Sequence, residues 1–131
     1  MPSELPANTD AELRRAFSLG IDALRGGIAM PIGGLCLYRD TREHRFIVHC
    51  YSSCYYAENI TQKEAEERIA TAKEELNTLT QLFPELRDQM RGLDIAFYFC
   101  YDADTAGVLV AKEEHGQFLY LANALTGCRN A

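Results

Sequence analysis

The sequence predicts an α+β fold in which two helices cover one face of a mostly antiparallel five-stranded sheet, in the order α-β-β-α-β-β-β. Three observations predict it. Apolar residues recur at steps of three and four over residues 61–90, which is the period of a helix. Two pairs of short, partly apolar segments are each joined by a tight turn, as in β-hairpins. Residues 95–101 are apolar at every position, which indicates a strand covered on both faces and central in the sheet.

The first helix is predicted over residues 10–25. Thr9 and Glu12 have the spacing of a capping box, in which each side chain bonds the other residue's backbone N–H. Gly26 and Gly27 end the helix, as glycines at helix C-termini do. One apolar stripe runs along it: Leu13, Phe17, Ile21 and Leu24. Residues 1–8, with two prolines, are predicted to form a frayed lead.

A hairpin is predicted from residues 34–39 and 44–51. Pairing Leu37 with Phe46 and Leu35 with Val48 places these apolar side chains on one face. The other face then carries Cys36, Tyr38, Ile47 and His49. In this register Cys36 and Cys50 point to opposite sides of the sheet, which argues against a disulfide between them.

The long helix predicted over residues 61–90 begins with a capping box of Thr61 and Glu64. Pro84 interrupts its pattern, because proline lacks the helical donor and clashes with the carbonyl of Thr80. The stripe consists of Ala65, Ile69, Ala72, Leu76, Leu79, Phe83, Leu86 and Met90. It is compatible with a coiled-coil seam or with packing on the protein's own sheet. The alanines and the proline favour the sheet.

The last hairpin is predicted from residues 107–113 and 117–123, around the dipeptide His115-Gly116. Both of its faces carry apolar residues, as does the preceding strand. Two helices can cover only one face of the sheet, and a contiguous exposed apolar surface marks an interface or a ligand groove. We therefore expect a homodimer or higher homo-oligomer, since two-fold dimers are the commonest assemblies.

Composition limits the classes to which this protein can belong. The 131 residues suit one domain, over residues 9–131, and 47% of them are hydrophobic. The net charge of −6 argues against nucleic-acid binding, which needs Lys and Arg on phosphates. No run of residues is long and apolar enough to span a membrane, and the N-terminus does not resemble a signal peptide. Five cysteines, an odd number without a CxxC pair, favour reduced thiols in the cytoplasm.

The stretch around His49 and Cys50 carries most of the candidate chemistry. A thiolate beside an imidazole can be a nucleophile or part of a metal site, and in the predicted register Cys36 lies diagonally across the hairpin from His49. Neighbours in one strand point to opposite faces, so His49 does not readily activate Cys50. We interpret these thiols as small buried apolar groups. No catalytic residue, metal or cofactor is predicted, and the acidic residues near Asp102, Asp104 and Glu113 are assigned to solvated turns.

The predicted function is that of a non-catalytic protein-binding module, acting as a small inhibitor, an immunity or anti-defence protein, or a chaperone. Tyrosine is enriched in binding hot spots. The candidate binding residues are Tyr51, Tyr55, Tyr56, His49, Cys36, Tyr101 and Tyr120. One alternative is a homo-oligomer that binds or sequesters a nucleotide or metabolite, in a pocket lined by Phe97, Phe99, Tyr101, Phe118 and Tyr120. A second alternative is a thiol- or metal-dependent enzyme.

The size, acidity and alternation of helices with strand pairs are similar to those of bacterial secretion-effector chaperones, which are small acidic dimers. This resemblance lies in the order of the elements and implies a protein partner. The sequence departs from it at residues 121–131, which predict no final helix. No site residue follows from the resemblance.

Overall fold

In a computed structural model, three helices and one six-stranded sheet are formed by the residues that the structure describes, which are 7–52, 60–103 and 106–121. The helices are α1 (Ala7–Arg25), α2 (Gln62–Leu82) and α3 (Pro84–Met90). The strands are β1 (Met30–Ile32), β2 (Leu35–Asp40), β3 (Arg45–Ser52), β4 (Asp94–Ala103), β5 (Ala106–Glu114) and β6 (Gln117–Tyr120). The α+β class is therefore as predicted, with one strand and one helix more.

The sheet has the strand order β1-β2-β3-β4-β5-β6 and is mixed. Neighbouring strands are antiparallel except β3 and β4, which are parallel. Two antiparallel meanders thus meet at one central parallel pair, and α2 and α3 form the long connection that parallel strands require. The prediction missed β1, a three-residue edge strand containing Pro31, and it missed the parallel pairing. It placed β4 correctly in the centre of the sheet.

The register of the first predicted hairpin differs by two residues. Leu37 pairs with Val48 rather than Phe46, and Leu35 pairs with Cys50 rather than Val48. A two-residue shift keeps every side chain on its predicted face, because strand side chains alternate with a period of two. Cys50 therefore lies on the same face as Leu35, opposite Cys36 as predicted.

The N-terminus of α1 differs from the prediction, whereas its C-terminus agrees with it. The helix begins at Ala7, so Thr9 lies within it and is not the N-cap residue that the capping-box pattern suggested. Its C-terminus ends as predicted, with Gly27 at a φ of +82°. The N–H of Ile28 bonds the carbonyl of Ala23 at 2.8 Å, which is the closing bond of a Schellman motif.

The long apolar stripe is divided between two helices at Phe83, which ends α2 and precedes Pro84 at the start of α3. The predicted capping box is present, since Thr61 and Glu64 each accept a hydrogen bond from the other's backbone N–H. Proline cannot donate to the carbonyl of Thr80, and Arg87 Nη2 donates to that oxygen instead, at 3.3 Å. The stripe packs on the sheet and not along a coiled-coil seam, as the favoured interpretation held.

The core lies between the helices and one face of the sheet, which we call the inner face. Apolar side chains of five strands, β1 to β5, form it with those of all three helices. Phe17 of α1 stacks on Phe83 at a centroid distance of 4.2 Å. Largest among its fully buried members are Phe46, Leu24, Met30, Leu37, Ile60, Ile69 and Leu86. In the described part of the chain, no helix has the length and apolar character needed to cross a membrane.

Candidate functional site

The face of the sheet opposite the core, which we call the outer face, carries the chemistry-bearing side chains. The strand registers assign to it Cys36, Tyr38, Asp40, Arg45, Ile47, His49, Tyr51, Ala96, Tyr98, Cys100, Leu109, Lys112, Glu114 and Leu119. The described helices pack on the inner face and leave this one uncovered. Within the described residues, the sheet therefore carries a helical layer on one side only.

A β-bulge between β4 and β5 decides which residues of the last hairpin reach the outer face. The register shifts after Phe99, so that Phe99 pairs with Ala111 while Cys100 pairs with Leu109. Val110 is the extra residue, and its side chain is fully buried in the core. At the far end of β5, His115 and Gly116 form the predicted two-residue turn, and both have positive φ.

One half of the outer face is covered by its own charged side chains. Arg45 Nη1 lies 2.9 Å from the Tyr98 hydroxyl and 3.2 Å from Glu114 Oε2, and its Nη2 lies 3.4 Å from Asp40 Oδ2. Tyr98 donates to Glu114 at 3.0 Å, and Lys112 Nζ lies 3.0 Å from Glu114 Oε1. We call these five residues the charged network.

The charged network covers an apolar row of the sheet. Ile47 and Ala96 pair across β3 and β4 between the rows that hold Arg45 and Tyr98. They are only 6% and 2% exposed, although no described helix lies over them. Long side chains with charged heads and apolar stems can cover apolar surface in this way. This half of the face therefore needs no partner to shield its apolar residues, contrary to our expectation of a wholly uncovered apolar face.

The protonation states of the network are fixed by its hydrogen bonds. The hydrogen bond from Lys112, followed by that from Tyr98, holds the pKa of Glu114 below its ordinary value. Burial, and then the hydrogen bond to Glu114, raises the pKa of Tyr98. At neutral pH Glu114 is therefore ionised and Tyr98 is protonated, so the phenol donates its proton to a carboxylate.

The other half of the outer face is aromatic and centred on His49. Its ring meets Tyr98 edge-on at 5.5 Å and stacks against Tyr51 at 6.1 Å between centroids. His49 Nδ1 lies 3.5 Å from Cys100 Sγ, on the neighbouring strand. Tyr51 is 42% exposed and Leu119, on β6, is 49% exposed. We call Cys36, His49, Tyr51, Cys100 and Leu109 the aromatic patch; Leu119 instead pairs with Lys112, beside the charged network.

The thiols of this region are not activated. Cys36 pairs directly with His49, whereas the predicted register placed the two diagonally, and the imidazole nitrogen Nδ1 faces Cys100. Burial raises the pKa of Cys36, and it raises the pKa values of Cys50 and Cys100 to about 11. Burial also lowers the pKa of His49. At neutral pH the imidazole and the three thiols are therefore uncharged, whereas a nucleophilic cysteine needs a stabilised thiolate.

Metal binding finds no support in the described ranges: there, no group of three His, Cys, Asp or Glu side chains is arranged to hold an ion.

The structure separates the predicted binding residues. It brings Cys36, His49 and Tyr51 together on the outer face, whereas Tyr120 lies on the inner face and donates a hydrogen bond to the carbonyl of Ile60. Tyr55 and Tyr56 lie outside the described residues, as does the side chain of Tyr101.

Four of the five residues expected to line an aromatic pocket lie in the core or pack against it. Phe97 and Phe99 are buried in the core, and Phe118 and Tyr120 pack against it. Sequence reasoning also missed four members of the outer face, Arg45, Tyr98, Cys100 and Glu114. Tyr98 and Cys100 alternate within the all-apolar strand, which signals a common face. That Arg45 of β3 and Glu114 of β5 lie beside them follows only from the strand order.

Comparison of the chain with family models, with curated proteins and with solved structures finds no match. The arrangement of the outer face therefore has to indicate the function by itself. An exposed tyrosine and an exposed leucine beside fixed charges resemble the composition of protein interfaces, which combine aromatic anchors with a polar rim.

Proposed function

We propose that the protein is a non-catalytic protein-binding module that contacts its partner through the outer face, as a small inhibitor, an immunity or anti-defence protein, or a chaperone. One observation carries this proposal: Tyr51 and Leu119 are exposed on a sheet face that no described helix covers. Tyrosine supplies a large contact area with few rotatable bonds, which makes it a frequent anchor of binding energy.

The surroundings of Tyr51 are suited to an anchor. Its ring is stacked on His49, which in turn contacts Tyr98 and Cys100. A side chain already held in one orientation loses less conformational entropy on binding. The charged network beside it is held by hydrogen bonds of 2.9 to 3.4 Å, so its charges are also positioned before a partner arrives. This preorganisation favours a specific contact over nonspecific adsorption.

Charge indicates the chemistry of the partner. The chain carries a net charge of −6, so long-range attraction favours a partner with a basic surface around its contact region. We expect the association rate to fall as ionic strength rises. A second copy of this chain has the same net charge, so the homo-oligomer predicted from the sequence must gain enough apolar contact at the aromatic patch to outweigh repulsion.

The proposal is tested by photocrosslinking in cells that produce the protein naturally. A benzophenone amino acid is placed at Tyr51, at Leu119, or at Leu19, one variant at a time. Leu19 is the matched control, because it is an exposed apolar residue (76%) on α1, a helix that packs on the inner face. We expect a discrete adduct of one mass from positions 51 and 119 and none from position 19. Mass spectrometry then identifies the adduct as a different protein or as a second copy.

A purified complex allows the energetic test. Tyr51→Ala is expected to weaken binding by about 2 kcal/mol or more, as for a hot-spot aromatic, without unfolding the protein. Leu19→Ala should leave the affinity unchanged. Equal crosslinking from all three positions, or an affinity indifferent to Tyr51, would show that the outer face is not the binding surface.

A further inference from the structure

A cleft on the helical side of the molecule lies apart from the outer face. It lies between α1, α2 and the turn that joins β1 to β2, and its volume is about 240 Å³. Leu13 of α1, Leu79 and Leu82 of α2, and Leu35 of β2 supply apolar walls. Leu35 and Leu79 are buried at its base, whereas Leu13 and Leu82 are only partly buried.

The cleft lies beside the stack of Phe17 and Phe83, whose rings are parallel at a centroid distance of 4.2 Å. Leu13 and Leu79 each precede one of these rings by four residues, one helical turn, and both line the cleft.

Glycine keeps the mouth of the cleft open. A Cβ atom at Gly34 would lie 3.0 Å from Glu75 Oε2 and 3.7 Å from Arg68 Nη2. Any side chain at this position would therefore press on the carboxylate and narrow the opening. Gly33 and Gly34 both line the cleft.

The ionisable group that faces the cleft is the carboxylate of Glu75. Its side chain is 38% exposed and pairs with Arg68, whose Nη1 lies 3.3 Å from Glu75 Oε1. Arg68 is not among the lining residues. A ligand in the cleft thus meets apolar walls and, at their edge, a carboxylate that it would share with Arg68. The net charge of −6 adds to the attraction for cations.

We propose that this cleft binds a small organic ammonium ion, with its apolar body between the leucines and its ammonium group on Glu75. The volume sets the size of the body. A cavity of about 150 Å³ holds benzene, and pockets for drug-sized ligands begin near about 300 Å³. A ligand with one aromatic or branched aliphatic group, about nine heavy atoms in all, fits between these limits.

The test compares three probes that share a phenyl group and differ in charge: 2-phenylethylammonium, 2-phenylethanol and 3-phenylpropionate. Binding is measured by titration calorimetry and by the shifts of backbone amide signals. We expect the ammonium ion to bind best and the carboxylate worst, with saturable shifts at Gly33, Gly34 and Thr78. The outer-face variant Tyr51→Ala should bind the ammonium ion like the unmodified protein, so this proposal and the proposed function can fail separately.

Substitutions separate the contribution of the Glu75 charge to ligand binding from that of the apolar walls. Glu75→Gln is expected to lower the affinity for the ammonium ion about fivefold, which is the effect of losing a half-exposed ion pair. The affinity for the alcohol should not change. Arg68→Gln, the matched control, frees the carboxylate and should tighten binding of the ammonium ion. Leu82→Trp should block all three probes. Thermal unfolding of each variant verifies that it is folded.

Two results would overturn the proposal. One is the lack of saturable shifts at the cleft with millimolar ammonium probe. The other is equal affinity for the ammonium ion and the alcohol, with no response to Glu75→Gln, which would mean that the cleft is a packing defect without selectivity for charge.

Discussion

His49 and Cys100 meet on the outer face across the parallel strands β3 and β4, with Nδ1 3.5 Å from Sγ. Burial disfavours the charged form of each group, since it lowers the pKa of the imidazole and raises that of the thiol to about 11. The pair is therefore neutral at pH 7, and the thiol proton remains available for a hydrogen bond to Nδ1. A neutral pair stabilises the sheet and supports the stacked ring of Tyr51, but it does not provide a nucleophile.

Protonation of His49 should destabilise the fold. Because its folded pKa lies below the ordinary value of 6.5, the unfolded chain takes up the proton more readily. The stabilisation is complete above about pH 6.5 and is lost as the pH falls through the folded pKa. We expect the free energy of unfolding in urea to drop between about pH 7.5 and about pH 5.5, and to drop less in His49→Gln. Leu19→Ala, an exposed site with no ionisable group, should keep the full drop, and an equal drop in all three proteins would contradict the prediction.

The buried thiols should resist alkylation. A pKa raised from 9.0 to about 11 lowers the thiolate fraction at mildly alkaline pH about a hundredfold, and Cys50 and Cys100 are also shielded from the reagent. Iodoacetamide labelling followed by peptide mass spectrometry should show both residues at least about a hundredfold slower in the folded protein than in urea. Faster labelling of Cys100 in the folded state would reveal a thiolate activated by His49.

The Phe17–Phe83 stack should be a major contributor to stability. Both rings are at least 94% buried, since their exposed fractions are 6% and 5%. Truncation of either to alanine is expected to cost about 3–5 kcal/mol in chemical unfolding. A double-mutant cycle should give a coupling of about 0.5–1.5 kcal/mol for the stacked geometry. Leu19→Ala, on the exposed side of α1, should change the stability by less than about 0.5 kcal/mol; a comparable loss there would undermine the assignment.

Gly20 should be needed for the close approach of α1 to β1. A Cβ atom at this position would lie 2.7 Å from Met30 Cγ, and Met30 is 1% exposed and cannot move outward. Alanine gains about 1 kcal/mol of helix propensity, but overpacking costs about 1–3 kcal/mol. We expect Gly20→Ala to lower the free energy of unfolding by about 1 kcal/mol. Gly26→Ala meets only ordinary contacts, at 3.5 Å and beyond, and should not destabilise; the opposite order would refute the clash.

Several features were predictable because short stretches of chain determine them. The capping box of Thr61 and Glu64 joins residues three apart, and the break at Pro84 follows from the missing donor of proline. The turn at His115 and Gly116 depends on two positive φ angles. The common face of Cys36 and His49 survived an incorrect register, because a shift of two residues leaves the alternation unchanged.

The candidate site was only partly predictable. Cys36, His49 and Tyr51 were singled out from one hairpin, and they do lie together. Tyr98 and Cys100 approach them from a strand about fifty residues further along the chain, and they do so because β4 pairs with β3 in parallel. The sequence of β4 itself does not specify which strand it pairs with or whether that pairing is parallel. Tyr120 was assigned to the site on residue type alone, and its register places it on the inner face.

The sequence by itself determined the α+β class, the apolar stripe of the long helix with its cap and its break, and the alternation of the strand faces. These features depend on side-chain periodicity and on backbone bonds between near neighbours. Tertiary structure alone decided the order of six strands, the parallel pair at the centre, the bulge that buries Val110 and the charged network over Ile47. It also decided the leucine-lined cleft beside Glu75. Each of these brings together residues from distant parts of the chain, where the packing of whole layers, and not local propensity, selects the partner.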